Sequence, residues 1–165
     1  MTNNPPPPPS GYHVPLDTDS PAPSPDQTGP PVSHSPIDGI PIFMVSILHE
    51  TGHVCPGKVG FRPDGPHVYF GFWHKEYRHF GQYDLFPFVP EQMEWVRTSC
   101  GQVPPGRRPI QGGYEPHGDK LYHALANVDG VDIPGKAGEH LPAGAHVPFN
   151  GQEVIIQEYQ ILCWK

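Results

Sequence analysis

Apolar residues fall in short runs along this chain, cut every few residues by glycine or proline, and no run carries the 3.6-residue stripe of a capped amphipathic helix. Residues 40–48 are apolar on both alternating faces, with Ile40, Ile42 and Met44 on one and Phe43, Val45 and Ile47 on the other. That pattern predicts a strand buried on both sides. Further strands are expected at residues 67–73, 82–88, 94–99, 120–126 and 153–164. Short strands broken at this spacing predict an all-β domain, antiparallel and sandwich-like.

The pattern occurs twice. Cys55-Pro56-Gly57-Lys58 is matched by Ile133-Pro134-Gly135-Lys136, each following an apolar run and a glycine turn at Gly52 or Gly130. A His-Val step comes next, at His67-Val68 and His146-Val147, and the copies close on Tyr83-Asp84-Leu85-Phe86 and Tyr159-Gln160-Ile161-Leu162. A duplicated unit predicts a pseudo-twofold domain over residues 37–165, with repeat one at 37–88 and repeat two at 94–164. A lysine placed twice at one corner suits a binding architecture before an enzyme.

Composition adds a tail to this body. Residues 1–36 hold about half of the 25 prolines and no Lys or Arg. Such a stretch buries too little apolar surface to offset its ordering entropy, so a disordered or polyproline II tail is expected. It is read as a solubilising segment, with an adaptor function through a polyproline-binding partner as the alternative. The net charge of −7, with only ten scattered Lys and Arg, argues against a nucleic-acid binder. No apolar run approaches the ~20 residues of a membrane span, and the start lacks the basic and apolar regions of a secretory signal. A cytoplasmic location, or secretion by a non-classical route, is expected. Cys55, Cys100 and Cys163 are too few and too widely spaced for a disulfide framework, and are read as small buried apolar residues.

His49-Glu50-Thr51-Gly52-His53 matches the pattern in which a helix sets two histidines on a zinc ion and Glu50 acts on the bound water, giving a zinc metallohydrolase as an alternative function. Gly52 inside the motif, Pro56-Gly57 just after it and strand formers before it all oppose a helix. The repeat aligns these residues with residues 127–131, a turn without metal ligands. His74 and His79 flank Glu76 closely enough to suggest a metal patch, although single strand histidines are more often half-buried hydrogen-bonding residues. The reading is a protein with no catalytic residues, no metal site and no cofactor.

The repeated corner suits a polyhydroxyl ligand. A Pro-Gly turn would present the lysine ammonium as three donors at one point, with the glycine free to take a positive φ. Glu115, in Gly112-Gly113-Tyr114-Glu115, stands before the strand leading to Lys136 and supplies an acceptor. Donor and acceptor together can bracket vicinal hydroxyls of a sugar, and Tyr114 could cover the apolar face of the ring. The same two charges would equally make an ordinary surface ion pair. Both being polar and on turns, Lys136→Ala and Glu115→Ala are expected to leave the fold intact.

Glu94-Trp95-Val96, Gly101-Gln102-Val103-Pro104, Gly112-Gly113-Tyr114-Glu115, Gly118-Asp119-Lys120-Leu121-Tyr122, Pro134-Gly135-Lys136, residues 145–153 and Tyr159-Gln160-Ile161-Leu162 together resemble one full DM-nine repeat. The family includes natterin-like proteins and mollusc-type mannose-specific lectins, and residues 36–88 resemble it more weakly. The resemblance implies a non-catalytic lectin for mannose-type glycans, with a role in recognition or defence and with two sites or a homodimer supplying avidity. It implies Lys136 with Glu115 as the carbohydrate-binding pair, where the family more often has Asp at the acidic place. In the first repeat it implies Lys58, with Asp38 the only nearby acid. That repeat has no recognisable opening Trp-Val strand, which leaves it incomplete or with residues 11–16 in that role.

Overall fold

The computed structural model describes residues 10–165. Its elements are β1 (Val14–Asp17), a single helical turn α1 (Pro25–Thr28), β2 (Ser33–His34), β3 (Pro41–Leu48), β4 (Val54–Arg62), β5 (Gly65–Phe72), β6 (Lys75–His79) and β7 (Gln82–Phe86), then β8 (Met93–Ser99), β9 (Arg108–Pro109), β10 (Gln111–Tyr114), β11 (Lys120–Val128), β12 (Val131–Ala137), β13 (Ala145–Phe149), β14 (Gln152–Ile156) and β15 (Glu158–Trp164). The fold is all-β, as the periodicity requires, and β1 to β15 pair antiparallel throughout.

The strand order reads β1-β7-β3-β4-β5-β6 and then β14-β13-β12-β11-β15-β8, so the second half repeats the first in mirror order. The halves join where Gln152 of β14 pairs Lys75 of β6. β10 pairs β11 and also meets the start of β4 at Tyr114 and Val54, which returns the sheet onto itself. The result is an antiparallel barrel with additional strands rather than two separate sheets. Closing the ring covers edges that a two-repeat sandwich would leave open.

Residues 10–36 are not a disordered tail. β1 lies along β7 in the place that β8 takes on β15, β2 pairs β3, and Thr18 and Gly81 exchange hydrogen bonds across the junction. The missing first strand of repeat one is thus supplied from within the proline-rich segment, because Val14 and Leu16 pack on the first-half core. Residues 1–9 of the expected tail lie outside the described residues.

Backbone pairing also revises the alignment of the halves. Lys58 faces Tyr69, and Lys136 faces His146, so Tyr69 corresponds to His146 and Glu76 to Glu153. The His-Val match is therefore out of register by two residues. A slip of two keeps every side chain on its own face of a strand, which is why the apolar pattern tolerates the false match. The Pro-Gly-Lys corners are not corners either: both lie within strands, β4 and β12. Gly57 and Gly135 are not at positive φ; a Cβ on either would sit 2.4 Å from the carbonyl oxygen of Tyr69 or His146. Close strand approach, not a turn, demands glycine there. The run at 153–164 is two strands, broken at Gln157.

Each half has its own core. Phe43, Val45, Ile47, Val59 and Leu85 fill the first, and Ala124, Ala126, Ile133, Val147 and Ile161 the second. Met44, Phe86, Met93, Ile110 and Leu162 pack between them. β3 is buried on both faces because alternate residues enter different clusters. Cys55 and Cys163 are buried among apolar neighbours, and burial pushes the Cys55 thiol up to about 11, so both behave as inert fillers. Cys100 departs from that expectation: it is half-exposed, at positive φ in the turn after β8.

His123, opposite Lys136 on β11, occupies the place that Met44 holds in the first half. Its Nε2 lies 3.5 Å from the Ser46 hydroxyl, which donates to Gly112 O, and its Nδ1 has no hydrogen-bond partner. Burial holds the ring down to about 3, from 6.5. The folded state thus favours the neutral ring. Its contribution to stability is complete above pH 6.5 and is lost progressively as the pH falls towards 3, because the unfolded chain binds the proton first. His123→Met, which installs the first-half residue, should flatten this part of the acid limb in urea denaturation followed from pH 7 to 4; an unchanged slope would mean that His123 is not the group that titrates.

Candidate functional site

Both repeated lysines cross from their own half to the other. Lys58 Nζ donates to Pro148 O at 2.7 Å and pairs with Glu76 Oε2 at 3.1 Å. Lys136 Nζ donates to Gly71 O at 3.1 Å and pairs with Glu153 Oε2 at 3.6 Å. In the revised register Pro148 corresponds to Gly71, so the two arrangements are one arrangement built twice. Glu76 and Glu153 are held alike, their N–H groups donating to Gly151 O and His74 O, in the opposite half's hairpin loop.

The Glu153 carboxylate also accepts from His146 Nδ1 at 3.1 Å. Its burial opposes ionisation, but the His146 hydrogen bond and the Lys136 charge outweigh that and hold the carboxyl below its ordinary value. Gly71 makes the approach possible, since a Cβ there would stand 2.6 Å from Glu153 Oε2. An ammonium has three N–H donors, and on each lysine a backbone carbonyl takes one, while the Glu76 and Glu153 Oε2 atoms stand at ion-pair distance without a hydrogen-bond partner. The remaining donors of each ammonium are the ones a ligand hydroxyl would meet.

The structure places Glu115 at the end of β10, its N–H bonded to Asp119 O and its carboxylate 3.6 Å from His140 Nε2 and 4.0 Å from His117 Nε2. Among the described residues, no ion pair joins Glu115 to Lys136; Glu153 is the carboxylate that Lys136 meets. Both charges nevertheless act on the His53 ring. That ring is held below its ordinary value by burial first and by His49 next, with Glu115 favouring its charged form and Lys136 opposing it. Tyr114 is 42 % exposed beside Glu115.

In the first half, Ser35 takes the place of Glu115. Its N–H bonds Ile40 O and its carbonyl accepts from Gly39, as Glu115 does with Asp119 and Gly118. Asp38 lies farther along that turn, paired with Arg62. The cleft at Lys58 is about 480 Å³, lined by Ser35, His67, Tyr69 and Glu76 of its own half and by Phe149 and Asn150 of the other. The Lys58 ammonium lies 5.7 Å from the centre of the Tyr69 ring. Glu76 and Glu153 were the residues hardest to read from the chain; a glutamate at nearly the same distance after each Pro-Gly-Lys was the available signal.

His49 to His53 form the turn between β3 and β4, with Gly52 at φ +87° and Gly52 N–H donating to His49 O. The two rings stack at 4.5 Å and both contact the Thr51 hydroxyl. The helix that the zinc motif requires is not present. His79 Nε2 donates to its own loop at Gln82 O, and Glu76 is committed to Lys58, so the suggested patch around Glu76 is dispersed.

One turn is strained. Three two-residue hairpin loops have both central residues at positive φ: Asp129-Gly130, Asn150-Gly151 and Trp73-His74. The first two have the composition that this turn favours. Trp73 at φ +48° and His74 at φ +67° do not, and such residues cost on the order of 1 kcal/mol or more each.

Residues 37–154 match the family model of the DM9 repeat. Among solved structures, the nematode sperm cell motility protein MFP2B superposes on 93 % of this chain with a TM-score of 0.68 at 19 % identity. This chain spans 46 % of that one, and at such identity the likeness is one of fold. No curated protein matches the sequence. No helix among the described residues is long and apolar enough to cross a membrane.

Proposed function

The chain belongs to the DM9 repeat family, and on that premise we propose that it is a non-catalytic, lectin-like protein that binds mannose-type glycans at its two lysine sites, in recognition or defence. The observation that carries this reading is the lysine fixed twice between a carbonyl of the opposite half and the charge of a glutamate, with N–H donors left over. A sugar hydroxyl both gives and receives. It can accept from such an N–H while a neighbouring hydroxyl donates to a carboxylate at the rim, Glu115 in the second half. Tyr114, half-exposed beside Glu115, would lie against the ring.

A shallow site of this kind holds a monosaccharide weakly, on the order of 0.1 to 10 mM. Two sites on one chain, or a homodimer, would then raise affinity for a multivalent mannan. The sites are unequal, because Ser35 supplies a hydroxyl where Glu115 supplies a charge. Glu115→Ala should therefore remove most mannan retention while the melting temperature moves little, and Lys58→Ala should remove less binding than Glu115→Ala. A glycan array on the purified protein gives the direct test. Wild-type retention by the Glu115 variant would rule out this site.

A further inference from the structure

We infer that the strained β5–β6 turn is a second-sugar platform: Trp73, carried beside the Lys136 site, stacks on the apolar face of the ring next to the one held by Lys136, so that this site takes an oligosaccharide while the Lys58 site takes a single residue. The inference rests on the glycan-binding reading above. Three observations place the turn at the site. Lys136 donates to Gly71 O, two residues before Trp73, and Glu153 N–H donates to His74 O, directly after it. The corresponding residues of the other hairpin, Asn150 and Gly151, line the Lys58 cleft. Finally, Gly71, two residues before Trp73, presses against the Glu153 carboxylate that pairs with Lys136, where a Cβ would stand 2.6 Å from Oε2, and the Phe72 ring lies 6.0 Å from Trp73 in an edge-on arrangement.

The fold does not need an indole there. Trp73 is 73 % exposed, so it contributes little to the core, and it holds a backbone conformation that the other half gives to Asn-Gly. A bulky residue kept at positive φ, against local preference and outside the core, points to a role in contact with a ligand. Its chemistry fits a pyranose, whose C–H face packs on an aromatic ring while its hydroxyls stay in water. Phe72 meets the indole edge-on, and the indole remains 73 % exposed.

The test compares methyl α-mannoside with an α-linked mannotriose by calorimetry, in wild type, Trp73→Ala and the double variant Trp73→Asn/His74→Gly, all carrying Lys58→Ala to isolate one site. The parent should prefer the trisaccharide by roughly 3- to 10-fold. Both variants should bring that ratio to near one, and the double variant, which imports the relaxed turn of the second half, should melt at a higher temperature than its parent. Indole emission should shift with mannotriose and not with the monosaccharide. A trisaccharide preference that survives in the double variant overturns the platform while leaving the lysine site standing. If the parent binds neither sugar, the glycan reading itself fails and the platform with it.

Discussion

Lys136→Ala is expected to destabilise the protein by about 3 kcal/mol, in addition to abolishing glycan binding at that site. The side chains of Lys136 and Glu153 are only 10 % and 5 % exposed, and their charges stand 3.6 Å apart. Removing one member of such a pair leaves the other desolvated, at a typical cost of about 3 to 5 kcal/mol. The lower end applies because His146 remains hydrogen-bonded to the glutamate. This corrects the expectation that an alanine at Lys136 leaves the fold intact, which treated the lysine as an exposed turn residue. Lys136→Met with Glu153→Gln removes both charges and keeps an amide for the His146 contact, so the double variant should recover most of the lost stability and none of the binding. Urea denaturation near pH 7 reads the effect. Because the Glu153 carboxyl is held below its ordinary value, its contribution is present above pH 4.5 and is lost as the pH falls through its folded value. A single variant within about 1 kcal/mol of wild type would show that the pair is open to water.

The parts of the fold that could be read along the chain are those in which a strand's neighbours are all apolar. β3 and β11 declare themselves because both of their faces are buried. β4 and β12 do not, because Pro56-Gly57 and Pro134-Gly135 have the composition of turns and lie instead in strands pressed against their neighbours. Proline within a paired strand runs against its usual confinement to edges and bulges. β1 is hidden for a related reason, since its apolar Val14 and Leu16 sit in a proline-rich composition that by itself reads as unfolded. The lysines of the candidate site were legible from their repetition. Their glutamate partners and backbone acceptors were not, because Glu153 joins Lys136 from two strands away and Gly71 O reaches it from the other half. Such contacts depend on how the halves meet, which no local pattern records.

Gly113→Ala should cost about 3 kcal/mol or more and should remove glycan binding at the second-half site as well. A Cβ at this position would lie 2.0 Å from Val54 O and 2.7 Å from Val54 C, both backbone atoms of β4, where no rotamer change can relieve the overlap. β10 must then move away from β4. That contact, Tyr114 against Val54, is where the sheet returns on itself, so the substitution opens the barrel at its seam. It also shifts the next two residues, and Glu115 is the acceptor proposed for the Lys136 site. Stability and binding should therefore fall together here, whereas Glu115→Ala separates them. The denaturation midpoint and mannan retention, measured on the same preparation, check both halves of the statement. A Gly113→Ala protein within about 1 kcal/mol of wild type would mean that β10 stands farther from β4 than the 2.0 Å clash requires.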